Sequence, residues 1–105
     1  MIWRIRERSA FARLAREGRR TRAGVLWCTY VLDPTATPPR VAYALGRAIG
    51  SAVDRNRVRR RLRSLLAQAS LPPGLYLIGA QGAAVRSSSS ELAFDLARLV
   101  GSIRG

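Results

Sequence analysis

The sequence predicts an α+β fold, a two-layer sandwich with the element order α-β-β-β-α-β-α. Three observations predict it. The chain has 105 residues, 48% of them hydrophobic, enough for one domain over 1–105 with a modest core. Two Ser-x-x-acid capping boxes, Ser51–Asp54 and Ser88–Glu91, each precede a run with helical periodicity. Short runs rich in β-branched and aromatic residues, VLWCTYVL and LYLIGA, alternate with those helices but are too few for an all-β fold.

The first helix is expected over Ser9–Glu17. Ser9 is placed to cap it, Phe11, Leu14 and Ala15 recur at helical spacing, and Gly18 supplies the stop. The following GRRTR reads as a basic loop. Val25–Leu32 reads as a strand, and DPTATPP, with three prolines, must be a loop. Arg40–Leu45 reads as a second strand, with Val41, Tyr43 and Leu45 on one side and Ala42 and Ala44 on the other. A short third strand is expected through Gly46–Ile49.

The Ser51 box starts a helix expected to reach about Ala69, roughly 27 Å long at 1.5 Å per residue. Leu71-Pro72-Pro73-Gly74 closes it, and Leu75–Ala80 is a compact apolar strand. After Ser88, Leu92, Leu96, Leu99, Val100 and Ile103 form the apolar stripe of a closing helix. Ser87–Ser90 is a loop and cap rather than a linker.

Charge limits what the chain does. All 19 basic residues are arginine, there is no histidine, and six acids leave a formal net charge of +13. Such a charge destabilises a compact state unless a polyanion neutralises it, which points first to nucleic acid and second to an anionic membrane surface. The charge is concentrated: residues 1–63 carry 16 arginines and a net +12. Without histidine there is no Ser-His-Asp or Cys-His catalysis and no HExxH zinc site. The single cysteine, Cys28, forms no internal disulfide, fits a reducing cytosol, and reads as a small buried hydrophobe. The apolar runs are too short to span a bilayer, and MIWRIRERSAF lacks a signal-length apolar core. The expectation is a cytoplasmic protein, monomeric and without a membrane partner.

The basic run concentrates on the predicted 51–69 helix. Val58, Leu62, Leu65, Leu66 and Ala69 share a stripe about 100° wide, while Asn56, Arg60 and Arg63 fall about 140–200° from Val58. Arg57, Arg59 and Arg61 line the flanks. Val53 falls outside the stripe and is expected to pack under the preceding loop. A solvated helix face ordinarily mixes signs, but here Arg57/Arg61 and Arg59/Arg63 are like-charged i,i+4 pairs with no acid from Arg55 to Arg63. Phosphates between the guanidinium groups relieve that repulsion, and arginine offers a planar fork suited to them. An arginine helix enters a DNA major groove more readily than an RNA one, so charge alone does not choose between the two.

The segment RVAYALGRAIGSAVDRNRVRRRLR, Arg40–Arg63, resembles the hallmark of the protein component of bacterial ribonuclease P. The matching positions are Arg47, Ile49, Gly50, Ala52, Val53, Arg55, Asn56, Arg57, Arg59, Arg60 and Arg63. Phe11 and Gly18 agree with the family's first helix. Ala48 and Ala15 depart from it, standing where a second basic residue and a second aromatic often occur. The resemblance implies a left-handed β-α-β crossover through the arginine-rich helix. It implies a subunit of an endoribonuclease that removes the 5′ leader in tRNA maturation, with catalysis by an RNA subunit that binds Mg²⁺. It also implies that Arg47, Arg55, Asn56, Arg57, Arg59, Arg60 and Arg63 bind RNA, and that precursor tRNA lays its leader in a cleft between the first helix and the sheet.

Several residues carry two readings. Phe11 either stacks on leader bases or packs beside Leu14, and Trp27 either lines the same cleft or belongs to the core. Glu91 and Asp95 share a helix face at i,i+4, but first-turn acids favoured by the helix dipole explain them better than a metal pair. Metal-dependent nucleases cluster carboxylates, and the six acids of this chain are scattered, so no metal ligand and no catalytic residue is expected in the protein. The competing reading is a stand-alone basic RNA-binding or ribosome-associated protein. A DNA-binding regulator would need dimer symmetry or a helix-turn-helix, and neither is visible.

Overall fold

A computed structural model describes residues 2–103. A five-stranded sheet carries the fold: β1 (Trp3–Arg4), β2 (Arg19–Ala23), β3 (Leu26–Leu32), β4 (Arg40–Ala44) and β5 (Gly74–Ala80), in the order β1-β4-β5-β3-β2. β1, β4 and β5 run parallel, and β3 is antiparallel to β5 and β2. The helices are α1 (Arg8–Glu17), α2 (Ala52–Leu66) and α3 (Ser89–Gly101). α2 is the crossover between the parallel neighbours β4 and β5.

The α+β class holds, and three strands do lie between the first two helices: β3 and β4 are two of those expected, and the third is a different segment. Arg19–Ala23, read as a loop, is a strand paired along its whole length with β3. Arg47–Ile49, read as a strand, is a single 3-10 turn ending at Gly50, whose φ of 127° favours glycine. The two-residue β1 precedes α1 and had no sequence signal.

The main core lies between one sheet face and α2 with α3. Leu26, Cys28, Tyr30, Val41, Tyr76 and Ile78 meet Val58, Leu62 and Leu66 of α2 and Leu92, Leu96 and Leu99 of α3. The opposite face is covered only in part, by α1: Ala10 and Leu14 pack with Ile5, Val31, Ala36 and Leu75. Both expected capping boxes form. Ser51 and Ser88 each accept from the backbone of the third residue on, and that residue's carboxylate returns to the cap. α2 ends three residues earlier than expected, with residues 67–69 in a turn. Ser9 does not cap α1: the helix begins at Arg8 behind Glu7, with no side-chain cap.

Asp95 is explained by the β2–β3 hairpin. Its Oδ2 accepts from the Val25 backbone N–H at 3.2 Å. Gly24, at φ 58°, leaves room for that carboxylate, which a Cβ would meet at 2.2 Å. Glu91 caps its own helix. Each acid therefore has a structural task, and they do not act as a pair.

Two expectations test this packing. Burial pushes the Cys28 thiol up to about 12, so native protein should resist iodoacetamide at pH 8 and react only on unfolding; rapid native alkylation would contradict its position. The Arg13 guanidinium, 2.6 Å from Asp33, holds that carboxyl at about 2, against about 3.9 in an unfolded chain. This pair's stabilisation is present above about pH 4 and fades as pH falls towards 2. Asp33→Asn should flatten the melting temperature against pH across that window, and an unchanged acid slope would remove Asp33 as its source.

Candidate nucleic-acid interface

α2 presents its arginines on the side turned from the core. Val58, Leu62 and Leu66 are buried and Leu65 is half-buried, as the stripe requires. Asn56, Arg57, Arg60 and Arg63 are exposed. Arg47 is exposed too, in the turn leading into the helix. Val53 is 66% exposed and packs under nothing, correcting the expectation for it: it stands in the first turn, away from the stripe.

The remaining arginines are more engaged. Arg59 donates to Asn56 Oδ1 at 2.8 Å, so Asn56 orients a neighbouring guanidinium as well as facing solvent. Arg61 donates to the Ser87 carbonyl at 3.1 Å and ties α2 to the segment before α3. Arg55 is half-buried, and its Nε is enclosed without a partner. Every ion pair among the described residues involves Arg13, Arg16 or Arg40, on or beside α1. The α2 arginines have no carboxylate partner there.

Phe11 is 42% exposed and outside the α1 core of Ala10 and Leu14. It lines a cleft of about 460 Å³ with Trp3, Ala42, Tyr43, Arg59 and Arg63. The cleft wraps the edge of β4, so Phe11 and two arginines of α2 meet there although their helices cover opposite faces of the sheet. Arg63 is thus shared between the arginine face and the aromatic cleft.

Trp27 does not line that cleft. It lies on the α1 side of the sheet at its open end, flat against Gly79, where a Cβ would come within 2.1 Å of its ring. The Arg20 guanidinium covers the ring at 4.3 Å, a cation–π contact. Sequence reasoning missed Arg20, which had been placed in a loop. It also missed Trp3 and Tyr43 as cleft residues, because Tyr43 alternates with Val41 and so read as core.

The sequence profile of the ribonuclease P family matches residues 2–104. The chain belongs to the ribonuclease P protein family. It is 40% identical over 100 residues to the ribonuclease P protein component of Nocardioides sp., covering 90% of this chain and 86% of that one. It is 36% identical to the corresponding protein of Acidothermus cellulolyticus, covering 94% and 86%. In fold it is similar to the RNase P protein from Thermotoga maritima, with a TM-score of 0.84 at 19% identity over 97% of this chain and 98% of that one. The Staphylococcus aureus RNase P protein gives 0.83 at 16% identity, covering 94% and 93%. Within this ribonuclease P protein, no described helix is long and apolar enough to cross a membrane.

Proposed function

We propose that this chain is the RNA-binding subunit of ribonuclease P and promotes removal of the 5′ leader from precursor tRNA in the cytoplasm. Its partners are the catalytic RNA and the precursor, and the protein acts as a monomer. The observation that carries the reading is an arginine face on α2 without carboxylate partners among the described residues, in a member of this family. Arg47, Arg55, Asn56, Arg57, Arg59, Arg60 and Arg63 bind RNA, those on the outer face of α2 through phosphates. The leader lies on the α1 side of the sheet, where Phe11 and Trp27 offer rings to unpaired bases.

The donor set does not fit a metal held by the protein. Among the described residues no three of His, Cys, Asp or Glu stand together, and Glu7, Glu17, Asp33, Asp54, Glu91 and Asp95 are taken up by ion pairs, caps or the hairpin. In this reading Mg²⁺ is held by the RNA subunit, and the protein's part is binding and positioning.

The test is cleavage of precursor tRNA by protein alone, RNA alone and both, at low Mg²⁺. Protein alone should leave the precursor intact, and adding it to the RNA should raise cleavage. Specific 5′ cleavage by RNA-free protein, or no effect of protein on the RNA's reaction, would overturn the assignment.

A further inference from the structure

The 3-10 turn Gly82–Arg86 follows β5 and leads towards α3. Two contacts lay it along α2. At one end, Gly82 lies so close to the turn before the helix that a Cβ there would stand 2.6 Å from the Ala48 carbonyl oxygen. At the other, Arg61 in the middle of α2 donates to the Ser87 carbonyl at 3.1 Å. Arg57 and Arg61, one helical turn apart, share the flank of α2 that faces this segment. Ala84 is buried in the main core and fixes the inner side of the turn. Positions three apart eclipse in a 3-10 turn, and Ala83 and Arg86 are both exposed. Arg47, Arg57 and Arg86 thus come from three separate elements to one stretch of surface. All are exposed, and none donates to another group among the described residues.

We propose that this turn is a second strip of the RNA interface, in which Arg86 takes a phosphate of the catalytic RNA beside the one held by Arg57. The proposal rests on the RNA-binding reading above. Arg57, Arg60 and Arg63 stand three residues apart on one oblique ridge of α2. The next position along that ridge is Asp54, whose carboxylate is turned into the Ser51 cap. The ridge therefore runs out of cations at Arg57, and Arg86 supplies the next one from outside the helix. A chain of phosphates that crosses α2 meets all four guanidinium groups, whereas one that follows the helix axis does not reach Arg86. Ala83, beside Arg86, offers no ring to a base, so the contact is blind to sequence and serves position. Charge counted along the chain hides this residue. Residues 64–105 carry only Arg86, Arg98 and Arg104 against Glu91 and Asp95, and packing brings Arg86 beside α2. Arg61 serves differently: its guanidinium is spent on the Ser87 carbonyl and holds the turn in place.

The experiment measures affinity of the full chain for the catalytic RNA across a salt series. Arg86→Ala should weaken binding about three- to tenfold and flatten the slope of log affinity on log salt by about 0.7–0.9, the share of one phosphate. Its melting temperature should not change. Arg86→Lys, which keeps the charge, should recover most of the affinity and all of the slope. Arg98→Ala removes an equal charge from α3, where that guanidinium covers the Phe94 ring at 5.6 Å, and should leave affinity and slope as they are. Should the alanine variant melt early, Arg86→Gln, which keeps most of the stem, carries the test. Weaker binding with an unchanged salt slope would mean that the turn has shifted and that Arg86 meets no phosphate. In the assembled holoenzyme the preference for precursor over mature tRNA should stay at its wild-type value. A change confined to that preference would place the contact on the precursor and overturn the proposal. If Arg86→Ala binds as the wild type does while loss of Arg57 and Arg60 weakens assembly, the interface ends at α2 and the proposal is wrong, with the RNA-binding reading intact. If none of these arginines matters, that reading itself falls.

Discussion

Replacing Arg57 and Arg60 together with alanine should weaken assembly with the catalytic RNA by about ten- to a hundredfold. Both side chains are exposed on α2, and neither donates to another group of the protein among the described residues. Each lost charge-assisted contact to phosphate is worth on the order of 1 kcal/mol, and every 1.4 kcal/mol is about tenfold. The dependence of log affinity on log salt should flatten by about 1.4–1.8, the contribution of two phosphates. Folding should survive, because exposed substitutions change stability by under about 0.5 kcal/mol and the Arg57–Arg61 repulsion is relieved. Arg60 serves here in preference to Arg63, which shares the cleft with Phe11 and would mix two effects. Affinity measured from about 50 to 200 mM salt decides the matter: an unchanged affinity and slope would mean that this face of α2 meets something other than RNA.

α2 was legible because its signals are local. The capping box, the stripe of Val58, Leu62 and Leu66 and the run of arginines all lie within one helix, and tertiary packing had nothing to override. Arg19–Ala23 was not legible for the opposite reason. Three of its five residues are arginine, and no alternating apolar pattern marks it. Its order comes from pairing with β3 across the Gly24 turn, held by Asp95 from seventy residues away. A charged edge strand also resists pairing with other chains, so the composition that hid the strand suits its place. Phe11 shows the same limit at one residue. Spacing put it beside Leu14, but the buried pair of α1 is Ala10 and Leu14, which turns Phe11 towards the β4 edge. The cleft itself exists because β1 stops after two residues, and no sequence pattern announces where an edge strand stops.

Gly18→Ala should lower stability by about 1–3 kcal/mol, the usual cost of overpacking, and the melting temperature by roughly 5–15 °C. In sequence this glycine reads as a helix stop, and it does end α1, but its φ of −66° and ψ of 140° are open to any residue. What the site lacks is space. A Cβ would stand 2.3 Å from the Leu14 carbonyl oxygen and 2.4 Å from Thr29 Cγ2. The carbonyl is held in the last turn of α1, accepting from Gly18 N–H at 2.9 Å, and Thr29 is on β3. An added methyl therefore wedges the end of α1 away from the sheet, and Phe11 travels with the helix. α2 packs on the opposite face and should not follow. The variant's affinity for the catalytic RNA should stay near that of the wild type while its preference for precursor over mature tRNA falls. Loss of both together, in protein shown to be folded, would mean that the two binding surfaces are not separable by the sheet. An unchanged melting temperature would mean that α1 is not seated against β3 as closely as Gly18 requires.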